Sequence, residues 1–373
     1  MKVLHVITGL GDGGAEAVLY RLCQFDSKNE HIVVSLSSKG KYGVLLENIG
    51  VEVFSLHLYG IKSLPSSLYD LFKLIKKQKP NAIQTWMFHG DLLGGIVGRL
   101  AGVKNVIWGV HHTNLIKGQS KFSTILVAKL NTFLSNFVPK AIVYCANKSK
   151  EVQELNGYVK DKGVVITNGY DTNYFDVSDV SRFVFRAELG VTPDAFIIGH
   201  VGRFDPLKDY PNLIESVSLV NKVISNYYVV LIGTNLDCGN SELASLISRY
   251  KLEERIILLG RRDDICSAMN GFDVLVLSSV SEAFPNVLNE AMACGAPCIT
   301  TDVGDAAYIV GESGWIVPSK NPVSLANSII EAFNEYSTNY PAWSRRQEIS
   351  RARINNSFGI EKMINSYNEI WNR

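Results

Sequence analysis

Short β-branched and aliphatic runs alternate with helix-period stretches from the first residues onward. Val3–Ile7, Ile32–Leu36, Val51–Phe54, Ala82–Gln84, Val106–Val110 and Ala141–Tyr144 read as strands. Between them lie helical patterns, such as Phe122, Ile125, Leu126, Leu130, Phe133, Leu134 and Phe137 at the 3.6-residue period. After a polar stretch around Asp171–Arg186 the alternation begins again. Strands are expected at Ile197–Val201, Tyr228–Ile232, Arg255–Leu258, Val274–Leu277 and Pro297–Thr300, with helices at about Tyr210–Val223, Ser241–Lys251 and Pro285–Cys294. This order predicts βαβ units and an α/β fold of two Rossmann-like, doubly wound parallel sheets. The expected domains are 1–180 and 181–358. A closing helix within 359–373, centred on Ile360–Trp371, could pack on either domain and is assigned to the first. Two such domains facing a cleft would take ligands on the loops at the carboxyl ends of their strands.

Composition changes this picture little. A chain of 373 residues exceeds one hydrophobic core, and 46% hydrophobic with 20% charged residues is ordinary for a globular protein. No run approaches the ~18 apolar residues of a spanning helix, and the apolar start reads as a buried strand rather than a signal peptide. The six cysteines form no C-x-x-C pair, which points to a reducing cytoplasm.

Charge is more informative. The net charge is only +1, but Lys62–Lys160 holds 14 basic and 4 acidic residues, whereas residues 161–373 hold 18 basic and 26 acidic ones, a net −8. A basic N-terminal half could face anionic lipid head groups, as a peripheral contact on the inner face of a membrane, or acidic substrates. Lysine-rich helix faces that are merely solvated would look the same.

Four loops carry candidate chemistry. Gly9-Leu10-Gly11-Asp12-Gly13-Gly14 follows the first strand and formally matches G-x-G-x-x-G. A nicotinamide reading also requires an acid at the end of the second strand, which closes instead on Leu36-Ser37-Ser38. What survives is close backbone approach to a phosphate or sugar through glycines such as Gly13 and Gly14. Gly202-Arg203-Phe204-Asp205-Pro206-Leu207-Lys208 offers a guanidinium fork and a lysine point charge suited to a diphosphate.

The third is Ser281-Glu282-Ala283-Phe284-Pro285-Asn286-Val287-Leu288-Asn289-Glu290, running into Ala291-Met292-Ala293-Cys294-Gly295. Pro285 suits a helix start and Gly295 its end, and amides near Asn286 and Val287 would await an anion. Glu282 and Glu290 would stand on the order of 12 Å apart if both were helical, which suits an extended ligand rather than a single bond between two carboxylates. The fourth is Trp108-Gly109-Val110-His111-His112-Thr113-Asn114. Its histidines lack a third metal ligand at a recognisable spacing, so a hydrogen-bonding role in the cleft is preferred. No D-x-D clamp and no P-loop occur, which leaves diphosphate charge to Arg203, Lys208 and helix N-termini.

At these residues the chain resembles glycosyltransferase family 4, the retaining transferases of GT-B fold. The likeness also runs through Asn168-Gly169-Tyr170-Asp171, Leu259-Gly260 with Asp263-Asp264, Thr301-Asp302-Val303-Gly304 and Gly314-Trp315-Ile316-Val317-Pro318. The resemblance implies that Arg203 and Lys208 bind the donor diphosphate and Glu290 the ribose, with Glu282 near the hydroxyls of the transferred sugar. It implies that Phe284, Pro285, Asn286 and Val287 form the phosphate-binding turn. Gly13 and Gly14 would approach from the other domain, and the base would pack near Gly260–Arg262. His111 matches the active-site histidine better than His112, which stays open as the alternative.

The expected activity is metal-independent, cofactor-free, retaining transfer of a hexose or N-acetylhexosamine from a nucleotide sugar, UDP favoured. The acceptor would be a glycan, lipid-linked, in bacterial polysaccharide, O-antigen or capsule synthesis, with no nucleic acid involved. A nucleotide-sugar epimerase of the same fold, or an NAD-dependent oxidoreductase, are the other readings. Ala283, Ala17 and Asp305 depart from the family pattern at positions close to the expected cleft.

Overall fold

The computed structural model describes residues 1–112 and 122–373; Thr113 and Asn114 of the fourth loop lie outside them. The chain divides into two compact units, Met1–Gly169 with Ile360–Arg373, and Tyr170–Gly359.

The first unit holds seven parallel strands: β1 (Lys2–Ile7), β2 (Glu30–Ser35), β3 (Glu52–Ser55), β4 (Ala82–Trp86), β5 (Val106–Val110), β6 (Ala141–Tyr144) and β7 (Gly163–Val165). They lie in the order β3-β2-β1-β4-β5-β6-β7. Both faces of this sheet are covered, which is why its strands are nearly continuous apolar runs. The period of two is visible in the packing. Val3, Ile7, Val33, Ile107 and Val143 enter one core cluster, and Leu4, Val6, Ile32, Val34, Val106 and Ile142 enter the other. The closing helix Ile360–Trp371 belongs to this unit and buries Met363, Ile364, Tyr367, Ile370 and Trp371 in the first of those clusters.

The second unit holds β8 (Phe196–Val201), β9 (Tyr227–Ile232), β10 (Ile256–Gly260), β11 (Val274–Leu277), β12 (Cys298–Thr301) and β13 (Trp315–Val317), parallel in the order β10-β9-β8-β11-β12-β13. The expected helices appear at Tyr210–Val220, Ser241–Arg249 and Asn286–Ala293. The pattern left two strands unread, β7 and β13, each three residues long at a sheet edge. It also left unread the helix Asp179–Glu188, which lies inside the polar stretch.

Candidate functional site

In each sheet the strand order reverses once, between β1 and β4 and between β8 and β11. Loops that leave the carboxyl ends of those strands diverge and open a crevice between them. Three of the four loops follow β1, β8 and β11.

In the second unit, Gly202–Lys208 follows β8 and Ser278–Pro285 follows β11. The two loops are tied together: Val280 N–H donates to Leu207 O at 2.8 Å, and Ser278 Oγ to Lys208 O at 2.7 Å. Across this junction Lys208 Nζ lies 2.6 Å from Glu282 Oε1, which also accepts from Ser279 Oγ at 2.6 Å. Gly202 has no side chain where the Lys208 stem passes, since a Cβ there would stand 3.3 Å from Lys208 Cε. Arg203 is the opposite case: 65% of its side chain is exposed, and its Nε donates to Asp205 Oδ2 at 3.0 Å.

Glu282 precedes the helix, which spans Asn286–Ala293 and therefore carries only Glu290 of the two glutamates. The 12 Å helical separation thus does not apply. Pro285 is the N-cap and no side chain caps the helix, so its first amides are available to an anion. Asn286 accepts from Tyr170 Oη at 2.5 Å, and Phe284 is buried edge-to-face against Phe358. Val287 and Glu290 are half-buried on the first two turns.

The Glu282 loop rests on the turn after β12. Gly304 has φ +55°, and a Cβ there would fall 2.3 Å from Glu282 O and 2.6 Å from Ala283 O. Asp305 N–H donates to Ala283 O at 2.9 Å with an ordinary φ of −94°, so a glycine is required at 304 and not at 305. Arg262 turns its guanidinium onto Glu188 and Asp264 and lies over the Phe185 ring at 5.5 Å. Hydrogen bonds to Asp264 and Glu188 hold its charge firmly, pushing its pKa upward.

In the first unit, Gly13 is the N-cap of the helix Gly14–Phe25, and a Cβ on it would meet the Glu16 carboxylate at 2.4 Å. Gly14 opens the helix and is exposed. His111 follows β5 directly, is half-buried, and stacks on Trp86 with ring centroids 4.9 Å apart. Burial, and then His112, pushes its pKa down to about 3, so the imidazole is neutral at ordinary pH. Its Nε2 has no hydrogen-bond partner among the described residues. His112 is exposed, stacks on Phe88 at 5.5 Å, and its carbonyl accepts from Ser149 Oγ.

Behind Trp86 lies a buried polar chain with a definite polarity. Trp86 Nε1–H donates to His5 Nδ1 at 3.2 Å, so His5 carries its proton on Nε2 and donates to His31 Nδ1 at 2.9 Å. His31 Nε2 faces Asp26 Oδ2 at 3.3 Å. Cys23 joins the two histidines in a group whose possible ligand atoms all lie within 4.8 Å of one another. The polarity occupies both nitrogens of His5, which leaves it no lone pair for a cation.

Sequence reasoning did not single out Ser279 or Tyr170 as site partners, nor Trp86 as the support of His111. Ser279 sits three residues before Glu282, where a hydroxyl can reach a carboxylate across a tight turn, and that spacing was the one signal available.

Comparison with known proteins identifies the family and the fold. Residues 12–174 match the family described as Glycosyltransferase Family 4, and residues 195–335 the family described as Glycosyl transferases group 1. The chain is 26% identical over 310 residues, 82% of it and 78% of the relative, to the UDP-Gal:alpha-D-GlcNAc-diphosphoundecaprenol alpha-1,3-galactosyltransferase of Escherichia coli. It is 25% identical over 320 residues, 81% of it and 80% of the relative, to the capsular polysaccharide biosynthesis glycosyltransferase CapM of Staphylococcus aureus. In fold it is similar to HepE of Anabaena in complex with UDP, with a TM-score of 0.84, 24% identity and 99% of both chains covered. The chain is a glycosyltransferase of GT-B fold, a family 4 domain followed by a group 1 domain.

Proposed function

We propose that the enzyme transfers a hexose or N-acetylhexosamine from a UDP-sugar to a lipid-linked glycan in bacterial surface-polysaccharide synthesis, with retention at the anomeric carbon and without a metal. The observation that carries the reading is the Lys208–Glu282 ion pair, set at the strand-order reversal beside a helix start that no side chain caps.

In this reading the diphosphate oxygens lie on the amides of the Phe284–Val287 turn, with Pro285 fixing its shape and Asn286 its side-chain edge. Lys208 and the exposed Arg203 neutralise the charge that builds up as the sugar departs. Stabilising a leaving diphosphate with fixed dipoles and cations is the largest single contribution such a site can make. Glu282, steered by Lys208 and Ser279, accepts hydrogen bonds from sugar hydroxyls, and Glu290 takes the ribose. The base lies along Gly260–Arg262, where Arg262 acts through its backbone because its side chain is engaged. His111 supplies a neutral imidazole to the sugar, with Gly13 and Gly14 approaching through their backbone; His112 is its replacement should His111 prove silent. The acceptor hydroxyl attacks on the face the diphosphate leaves.

Support for the donor and acceptor comes from the relatives: the Escherichia coli enzyme is named for UDP-galactose and a diphosphoundecaprenol acceptor, and HepE has been crystallised with UDP-glucose. No helix among the described residues is long and apolar enough to cross a membrane. In this reading the enzyme meets its lipid-linked acceptor peripherally, on the cytoplasmic side.

Turnover of a panel of UDP-, GDP- and ADP-sugars with lipid-linked acceptors in excess EDTA tests the reading. UDP-sugar consumption that yields an α-linked product is expected. Release of an isomerised donor without acceptor would identify an epimerase instead, and a strict need for a divalent cation would remove the metal-independent mechanism.

A further inference from the structure

His111 meets the first unit through a ring stack rather than through its Nε2, which has no hydrogen-bond partner among the described residues. An imidazole takes its ring plane from a hydrogen bond on one nitrogen or from the surface it lies on. The surface here is Trp86, at 4.9 Å between centroids and 21° between planes. Whatever fixes the plane of Trp86 therefore orients His111.

Trp86 is fully buried and has two fixing contacts besides His111. Tyr367 stacks on it at 6.0 Å and 29°, and its Nε1–H donates to His5 Nδ1 at 3.2 Å. The backbone beside it is constrained as well, since Met87 has φ +66°, a conformation that persists only where the surroundings over-determine it. Behind His5 the hydrogen bonds run one way, from His5 Nε2–H to His31 Nδ1 at 2.9 Å, with His31 Nε2 facing Asp26 Oδ2 at 3.3 Å. Asp26 is anchored in turn by Lys28 N–H at 3.1 Å and Asn29 Nδ2 at 2.7 Å. Reversal would set an imidazole N–H against the indole N–H, so the row has a single arrangement.

The closing helix covers both contacts. Trp371 stands edge-on to His5 and His31, 5.8 Å from each. Its Nε1–H donates to Gln84 Oε1 at 3.2 Å, and its carbonyl accepts from Asn105 Nδ2 at 2.6 Å. Tyr367 lies about one turn earlier on the same helix.

We propose that His5 and Tyr367 are positioning residues for sugar transfer: they lock the plane of Trp86, and Trp86 holds the His111 imidazole in the orientation that meets the sugar. Both are buried, so neither meets substrate and each acts through Trp86. The inference rests on the role proposed above for His111 in its effect on rate, and on geometry alone in its effect on the ring.

Two readouts on the full chain test it. With carbon-13 at histidine Cε1, the NMR signal of His111, identified by its loss in His111→Gln, carries the ring-current displacement of Trp86. It should move in His5→Leu and in Tyr367→Leu. It should return in His5→Gln, whose amide also accepts and donates, and in Tyr367→Phe, which keeps the ring. In steady-state kinetics with the donor that the nucleotide-sugar panel selects, His5→Leu should lower kcat roughly ten- to a hundredfold with KM within about twofold. His5→Gln should recover most of that loss. Trp86→Phe offers no N–H for His5 to accept, so in that background His5→Leu should cost no further kcat. If His5→Leu does not fold, the two Tyr367 variants put the same question through the other contact. An unmoved His111 signal in the leucine variants would overturn the proposal. So would a kcat loss that His5→Gln does not recover, or one that multiplies with Trp86→Phe, since His5 would then be core packing alone. A moved signal at unchanged kcat supports the lock on Trp86 and removes His111 from the transfer, a failure of the underlying reading instead.

Discussion

Lys208 Nζ lies 2.6 Å from Glu282 Oε1, and that same oxygen accepts the Ser279 hydroxyl at 2.6 Å. Both members of the pair keep only a small part of their side chains in solvent, 19% for Lys208 and 15% for Glu282. Two groups meant for different parts of a substrate thus hold each other in place. Lys208→Ala should lower kcat/KM by about 10²–10³-fold, the scale for losing one preorganised charge-stabilising donor. Glu282→Gln should lower it as well. Because the residues act as a unit, the double variant should lose far less than the product of the single losses. Multiplicative losses in steady-state kinetics would show that the two work independently.

Arg203 separates catalysis from stability. It is mostly exposed and, among the described residues, its side chain engages only Asp205 on its own loop, so Arg203→Ala should change stability by no more than about 0.5 kcal/mol. Activity should still fall by one to two orders of magnitude, roughly, if the guanidinium meets the departing diphosphate. A denaturant titration beside initial rates reads both. Unchanged rates would remove Arg203 from the proposed site.

Gly304 ties the site to the fold. A Cβ there would collide with the carbonyls of Glu282 and Ala283, and its φ of +55° strains any other residue. Gly304→Ala is expected to destabilise the protein by more than about 1 kcal/mol and to cost activity by shifting Glu282. Asp305→Gly, at an ordinary φ, should leave the Glu282 loop in place. Equal loss of activity in the two variants would contradict the steric argument.

The sheets were legible because buried parallel strands are apolar runs of four to six residues. Ala141–Tyr144 and Val274–Leu277 appear in the structure with the bounds that the pattern implied. Three-residue edge strands such as Trp315–Val317 offer no period to read. The helix Asp179–Glu188 was hidden for another reason: it is anchored by charge. Arg186 Nη1 and Arg182 Nη2 lie 3.1 and 2.5 Å from the two oxygens of Asp273, a buried residue about ninety positions later, which also accepts Ile197 N–H at 2.7 Å. In sequence those arginines look like ordinary solvent-facing charges. The site loops were visible through their charged residues and glycines. Their partners Tyr170 and Trp86 were not, because only the fold brings them near, and Ser279 offered no more than its three-residue spacing from Glu282.

Asp91 gives a pH prediction. Its carboxyl is fully buried, accepts from Thr85 Oγ1 at 2.5 Å and from Gly109 N at 3.1 Å, and has no partner on its other oxygen among the described residues. Burial raises its pKa to about 8, against an unfolded value near 3.9. Between those values the folded chain holds a proton that the unfolded chain has released. Stability from this group therefore falls as pH rises, by about 1.4 kcal/mol per unit. Burial lowers His111 to about 3 and His200 to about 4, which has the opposite sign and acts as pH falls below about 6.5. From about pH 6.5 to 8 the histidines no longer contribute; the lowered Cys266 thiol opposes the Asp91 slope in the upper part of this range, equally in the wild type and in a variant at Asp91. Asp91→Asn keeps the acceptor oxygen and removes the titration, so its melting temperature should decline less than that of the wild type over that range. Parallel curves would mean that Asp91 is ionised in the folded protein.

Cys266 and Cys294 are 28 positions apart in the chain, and their Sγ atoms stand 3.9 Å apart. Cys266 is half-buried beside Tyr174 O, while Cys294 is buried at the end of the helix that carries Glu290. A hydrogen bond from Cys294 lowers the Cys266 thiol below the usual cysteine range, which favours its thiolate. Sulfurs that close need only a small shift to reach bonding distance. Mild oxidation with hydrogen peroxide should convert Cys266 to a sulfenic acid, which Cys294 then attacks with loss of water to form a disulfide. Intact mass would fall by about 2 Da for the two hydrogens removed, and peptide mapping would find the two cysteines linked. Dithiothreitol should restore the mass. Cys294→Ser should instead accumulate sulfenic acid on Cys266, and Cys266→Ser should leave Cys294 reduced. If the mapped product joins other cysteines, or if Cys294→Ser forms no sulfenic acid, the two thiols are packing neighbours with no redox chemistry between them.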